Sequence, residues 1–227
     1  MNSAIDARGH DAIILRVLGL DPALAGATGY GVVESDGRRC RMVRLGALRP
    51  ARVSRAAHTP ATLDLHEHLC RIHQLVSELI EEFAPHSVAV ESVFTALNRQ
   101  TALRLAEVRG VVLLAAAQKG VPVRSYSPRE IKSHVSGYGN AGKEQMQQMV
   151  RALLGLAETP EPADAADALA VALCHIQAAQ AESRMAAGLA RGRQAHLPCL
   201  PAGRRQPGGR QAQQATRRPR PAILVSR

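Results

Sequence analysis

The stretch Ile13-Ile14-Leu15-Arg16-Val17-Leu18-Gly19-Leu20-Asp21-Pro22 decides how the chain is read. The run up to Leu20 has the length and apolar content of a buried strand, it ends at an acid, and Pro22 stops it. Outward from it, residues 23–28 form a small-residue loop, and Tyr30-Gly31-Val32-Val33-Glu34 reads as a second strand. Ser35-Asp36-Gly37 is a turn signal, and Arg41-Met42-Val43-Arg44-Leu45-Gly46 follows as a third strand with period-two alternation. A three-strand meander therefore opens the domain.

Beyond the meander, Leu65, Leu69, Ile72, Val76, Leu79, Ile80 and Phe83 recur at three- and four-residue steps, predicting an amphipathic helix over 62–83 that Pro85 ends. Ser87-Val88-Ala89-Val90-Glu91-Ser92 is a fourth strand, again closing on an acid. A helix over 99–119 is apolar all round from Gly110 to Ala117, which calls for burial on both sides, by the sheet and by a partner chain. Gly110 inside it would let another backbone come close. Val121-Pro122-Val123-Arg124-Ser125-Tyr126 is a fifth strand. Ser127-Pro128-Arg129-Glu130 then has the capping-box pattern with Pro at the first helical position. The short helix it starts runs to about Val135, a Gly-rich loop spans 136–142, and helices follow over 143–155 and from about Ala163 to Ala187. The fold class is α/β, a five-stranded mixed sheet flanked by helices. Its expected organisation is a loose leader over 1–12, one folded domain over 13–187 and a disordered Arg-rich tail over 188–227.

The 227 residues suffice for one ordinary domain with a proper core. The chain is 46% hydrophobic but has only five aromatic residues, Tyr30, Phe83, Phe94, Tyr126 and Tyr138, so Leu, Val, Ile and Ala must build the core. The net charge of +10 is uneven. Ten of the 29 basic residues are Arg within 183–227, a segment with no acid, which leaves 19 basic against 19 acidic residues in the rest. The folded part thus has no global field, and a nucleic-acid surface on it must be a local patch. Four widely spaced cysteines without a C-x-x-C argue against a zinc site or a disulfide framework. Neither a signal peptide nor an apolar run of membrane-spanning length is visible, so the expectation is a soluble, cytoplasmic protein without membrane contact.

Four acids carry the chemistry. Asp21 and Glu91 each close a strand, where open α/β sheets bind ligands. Asp164 and Asp167 lie three residues apart in Pro162-Ala163-Asp164-Ala165-Ala166-Asp167-Ala168-Leu169-Ala170, so a helix projects both from one face. Taken alone, that pair fits a solvated helix start, where the macrodipole favours negative charge, as well as it fits a metal site. If the last helix packs beside the first and fourth strands, all four carboxylates converge. Their repulsion then calls for hard cations such as Mg²⁺, and two such ions about 4 Å apart clamp an in-line phosphodiester displacement.

Three other motifs are set aside. Gly26-Ala27-Thr28-Gly29-Tyr30-Gly31 leads into a strand instead of a helix, against a dinucleotide site. Gly137-Tyr138-Gly139-Asn140-Ala141-Gly142-Lys143 has phosphate-loop spacing, but Glu144 stands where a Ser or Thr would meet Mg²⁺ and no strand precedes it. Such a loop can still touch a DNA phosphate through backbone N–H groups. His66, His68 and His73 share no face at ligand spacing and read as surface histidines.

In this order and at these intervals, five segments resemble the RuvC family of crossover junction endodeoxyribonucleases, Holliday-junction resolvases of the ribonuclease H-like superfamily. They are Leu18-Gly19-Leu20-Asp21-Pro22, Gly29-Tyr30-Gly31-Val32-Val33, Val88-Ala89-Val90-Glu91-Ser92-Val93-Phe94, Ala106-Glu107-Val108-Arg109-Gly110 and Pro162 to Ala170. The resemblance covers about residues 14–185. It implies that Asp21, Glu91, Asp164 and Asp167 are metal-binding catalytic carboxylates holding two Mg²⁺, with Mn²⁺ able to substitute. It implies that Phe94 stacks on an unpaired junction base and that Lys132 and Lys143 contact phosphates near the cut. It further implies a homodimer that nicks a four-way DNA junction symmetrically to leave 5′ phosphates, and a branch-migration helicase complex as partner. Two features depart from the family pattern: Ala23 stands where the family has Gly, and the loop to Gly29 is one residue longer. A ribonuclease H-like nuclease acting on another nucleic acid and a noncatalytic DNA-binding module are the alternative readings.

Overall fold

The computed structural model describes residues 4–5, 11–12, 15–23, 27–49, 61–92 and 99–194. Inside the expected leader, β1 (Ala4–Ile5) pairs antiparallel with β2 (Asp11–Ala12), so these residues form a small ladder and are not simply loose. The meander follows as β3 (Leu15–Asp21), β4 (Thr28–Ser35) and β5 (Cys40–Leu48), each longer at one end or both than its apolar run, because ladder hydrogen bonds continue past the apolar side chains. Then come α1 (Ala61–Phe83), β6 (Ser87–Glu91), α2 (Arg99–Gln118) and β7 (Val123–Tyr126). The last elements are α3 (Pro128–Ser136), α4 (Lys143–Leu154) and α5 (Ala163–Gln194), the last running on past the expected end at Ala187. Among the described residues, no helix is long and apolar enough to cross a membrane.

The main sheet has the order β5-β4-β3-β6-β7, antiparallel within the meander and parallel from β3 through β6 to β7. Strand parity divides the core in two. Leu18, Leu20, Val32, Val88 and Val90 pack with α1 and α2 through Ile72, Val76, Val108 and Val112. Val17, Val33 and Ala89 face the other way, onto α3, α4 and α5 through Ile131, Val150, Leu169 and Leu173. Because side chains alternate along a strand, Asp21 shares the face of Val17 and Glu91 shares that of Ala89. Both acids therefore belong to the face that α5 covers.

Two devices set α5 on that face. The Ser127 side chain accepts the Glu130 N–H while the Glu130 carboxylate accepts the Ser127 N–H, so the predicted capping box starts α3 beside the end of β7. A run of glycines on β3 and β4 then removes the side chains that would hold α5 away. A Cβ on Gly19 would collide with the Ala168 carbonyl, one on Gly29 with the Asp164 carbonyl, and one on Gly31 with the Leu169 side chain. Helix backbone meets strand backbone directly here. Gly110 behaves otherwise: among the described residues nothing lies within 4 Å of a Cβ built on it, so none of them makes the close approach expected there.

Candidate active site

Asp21 ends β3 and Glu91 ends β6, neighbouring parallel strands whose last register pair is Leu20 with Val90. The two carboxyl groups thus leave the sheet side by side and share a hydrogen bond. Asp164 and Asp167 lie in the first turns of α5, and the Asp164 backbone rests on Gly29, the register partner of Asp21. Four acids from three elements meet at one end of the sheet. Burial pushes the Asp21 carboxyl up to about 8, helped by the charges of Glu91, Asp167 and Asp164 and opposed by Lys143. Glu91 is raised by burial and by Asp167, against Lys132 and its hydrogen bond with Asp21. Burial also raises Asp167, with Lys143 pulling down and Asp164 pushing up.

The expected lysines stand at the rim. Lys132 on α3 and Lys143 on α4 line a cleft of about 240 Å³ with Glu91 and Asp167. The Lys143 Nζ is 3.9 Å from the half-buried Asp167 carboxylate, and the lysine side chain is mostly exposed to water, so this pair adds little to stability. Phe94 lies outside the described residues. The Gly-rich segment serves as helix punctuation: Gly137, at φ 76°, terminates α3 in the left-handed region, and Gly142 precedes α4.

The donor set is all carboxylate oxygen, the chemistry of a hard divalent cation. Burial with mutual repulsion leaves a charge deficit that such a cation would relieve, so the residues fit one. Among the described residues, no three Asp, Glu, His or Cys side chains are already gathered at metal-binding geometry. Ala23 is not under strain, since Ala84 is the only side-chain-bearing residue at positive φ among those described. The Thr28 hydroxyl lies 3.4 Å from both the N–H and the carbonyl of Ala23 and so bridges the loop after Asp21.

One expectation fails and one feature was missed. His68 is not a surface residue: it is 5% exposed, and neither ring nitrogen has a side-chain partner among the described residues. It sits against the Ala23 backbone, and burial holds it neutral by lowering its pKa. Its place on the buried stripe of α1 with Ile72 was obscured by its polar type. Missed as well was the buried His175, which bonds both Ser87 and Tyr126. A lone His in the apolar run Leu173-Cys174-His175-Ile176 was its only trace.

A mixed sheet of this order, with acids ending two adjacent parallel strands and two more on the helix laid across them, defines a nuclease of the ribonuclease H-like class. The model of the family described as crossover junction endodeoxyribonuclease RuvC matches residues 17–175. The chain is 45% identical over 173 residues to the crossover junction endodeoxyribonuclease RuvC of Desulfitobacterium hafniense, spanning 76% of this chain and 99% of that protein. It is similar to the solved structure of Thermus thermophilus RuvC, with TM-score 0.65, 36% identity, and coverage of 74% of this chain and 97% of that one. The same Thermus protein has been solved in complex with Holliday junction substrate. The yeast mitochondrial Holliday junction resolvase Ydc2 shares the fold, with TM-score 0.56 at 17% identity over 78% of this chain and 84% of that one. The chain belongs to the RuvC family of crossover junction endodeoxyribonucleases, which are metal-dependent nucleases. Its activity is that of a Holliday-junction-resolving endonuclease.

Proposed function

We propose that Asp21, Glu91, Asp164 and Asp167 together hold two Mg²⁺, which Mn²⁺ can replace, and that this site cuts one strand of a four-way DNA junction. The convergence of the four acids at one end of the sheet supports the reading most strongly. Bound cations would supply an activated water and neutralise charge at the leaving 3′ oxygen, giving ligatable nicks with 5′ phosphates. Lys132 and Lys143 hold the phosphates flanking the cut, and Phe94, by family resemblance, stacks on a base opened at the crossover. The nuclease domain spans 13–187, the Arg-rich segment over 188–227 adds nonspecific affinity for DNA, and the protein works in the cytoplasm with a branch-migration helicase complex.

Symmetric resolution needs two copies. Leu103 and Leu114 on α2 are 66% and 52% exposed, and with Gly110 they stand seven and eleven residues along one helix face. An exposed apolar stripe with a glycine open to approach supports α2 as the homodimer contact. Leu114→Glu is expected to yield a monomer by light scattering at concentrations where the parent chain is a dimer. An unchanged mass would remove α2 from the interface.

The functional test uses the full chain with Mg²⁺ and three labelled substrates: a four-way junction, a linear duplex and an RNA–DNA hybrid. Paired symmetric nicks in the junction alone are expected. Cutting of duplex or hybrid would favour another nucleic-acid substrate, and tight junction binding without cutting, unaffected by Asp164→Asn, would leave a noncatalytic module.

A further inference from the structure

His175 lies in the apolar body of α5, eight residues or about 12 Å beyond Asp167 along the helix. Its Nε2 is 2.8 Å from the Ser87 hydroxyl and its Nδ1 is 2.7 Å from the Tyr126 hydroxyl. The imidazole and phenol rings meet edge to face, with centroids 5.8 Å apart. Both ring nitrogens are thus occupied, one donating and one accepting in the neutral ring, and burial keeps the ring neutral. Burial also pushes the Tyr126 hydroxyl up to about 12, so its proton is present at neutral pH.

A Ser–His–Tyr array suggests an activated nucleophile, but its position argues otherwise. Ser87 is 6% exposed and begins β6, four residues from the cleft, where no substrate atom can reach it. What the array does span is the gap between the elements that carry the acids. Tyr126 ends β7 as the register partner of Glu91, and its carbonyl accepts the N–H of Ser92, the residue after Glu91. Its backbone therefore holds the strand end bearing Glu91, while its side chain holds the helix bearing Asp164 and Asp167.

The seat of α5 explains why such a tie is needed. Over β3 and β4 the helix rests on Gly19, Gly29 and Gly31 through close contact that has no directional bond. Among the described residues, the side-chain hydrogen bonds from α5 to the sheet are those of His175 and that of Gln180 to Ser35 on β4. Only the His175 pair reaches β6 and β7, the half of the sheet that ends in Glu91. Without it, α5 can pivot on its glycine seat and carry Asp164 and Asp167 away from Glu91.

We infer that Tyr126 and His175 are positioning residues, a buried strut that sets the separation of Glu91 from the Asp164/Asp167 helix. This rests on the reading of the four acids as the cation site. Tyr126→Phe keeps the ring and removes only the strut's hydroxyl, whereas Ser87→Ala removes the other partner of the same histidine, at the end of β6 remote from Glu91. The test is calorimetric titration of the full chain, free of DNA, with Mn²⁺, alongside junction affinity in EDTA and the cleavage rate. Tyr126→Phe is expected to weaken Mn²⁺ binding and slow cleavage each about tenfold, as loss of groups that orient metal ligands does, with junction affinity unchanged. Ser87→Ala is expected to lower the melting temperature and leave Mn²⁺ affinity within about twofold. Parental Mn²⁺ affinity in Tyr126→Phe, or an equal loss in both variants, would overturn the strut. Parental protein that binds no Mn²⁺, or binds it equally well after Asp167→Asn, would instead overturn the cation site itself.

Discussion

Gly29→Ala is expected to lower junction cleavage by about a hundredfold or more while leaving the sheet intact. The added methyl has no free space, since it would overlap the carbonyl of Asp164 where α5 lies on β4. That atom is helix backbone, with no rotamer to absorb the clash, so the first turn of α5 must lift. It carries Asp164 directly and Asp167 one turn later, while Asp21, opposite Gly29 in the ladder, stays with the sheet. A misplacement of about 1 Å within a catalytic array costs on the order of a hundredfold in rate. Overpacking of this kind also costs about 1–3 kcal/mol of stability. Single-turnover cleavage under saturating enzyme, with junction affinity measured in EDTA, isolates the effect. A loss of affinity that accounts for the whole loss of rate would show that Gly29 serves DNA binding instead.

The second large effect belongs to Asp21. Asp21→Asn is expected to reduce cleavage at least about a thousandfold, the several kcal/mol that a misassembled cation site forfeits. The same change is expected to stabilise the metal-free protein above neutral pH. The folded carboxyl titrates near 8 against an ordinary value of 3.8, so between those limits the folded state keeps a proton that the unfolded state releases. Stability must then fall as pH rises through that window, by at most about 1.4 kcal/mol per pH unit for one proton. Glu91 and Asp167 are raised too and push the same way. His68 and His175 are lowered and act in the opposite sense, costing stability as pH falls below their ordinary 6.5. Urea midpoints in EDTA from pH 6.5 to 8.5, compared between parent and Asp21→Asn, cancel the histidines and the buried thiols and isolate Asp21. The parent should lose stability across that range, Asp21→Asn should lose distinctly less, and Mg²⁺ should flatten the parent curve by taking the proton's place. Parallel curves for parent and variant would show that Asp21 is not the strained member of the cluster.

Much of this was legible in the chain because it is written locally. Apolar runs ending at Asp21 and Glu91, the helical stripe down to Phe83 and the capping box at Ser127 each depend on neighbours a few residues away. The histidines were not legible in the same way. His66, His68 and His73 look alike as letters, yet only His68 is buried, because burial depends on which turn of α1 faces the sheet and the loop after Asp21. The exposed Leu103 and Leu114 are the reverse case, since an all-apolar helix does not say which side its own sheet will cover.

By itself the sequence determined the elements, the four acids and the family, since periodicity, caps and motif order are properties of short segments. Only the tertiary structure decided what those acids do to one another. Strand parity turns Asp21 and Glu91 to the face of α5, and three glycines let that helix lie backbone to backbone on β3 and β4. The Tyr126–His175 contact ties residues 49 positions apart. Charge repulsion and desolvation act through space, and the distances that govern them exist only once the helix has settled on the sheet.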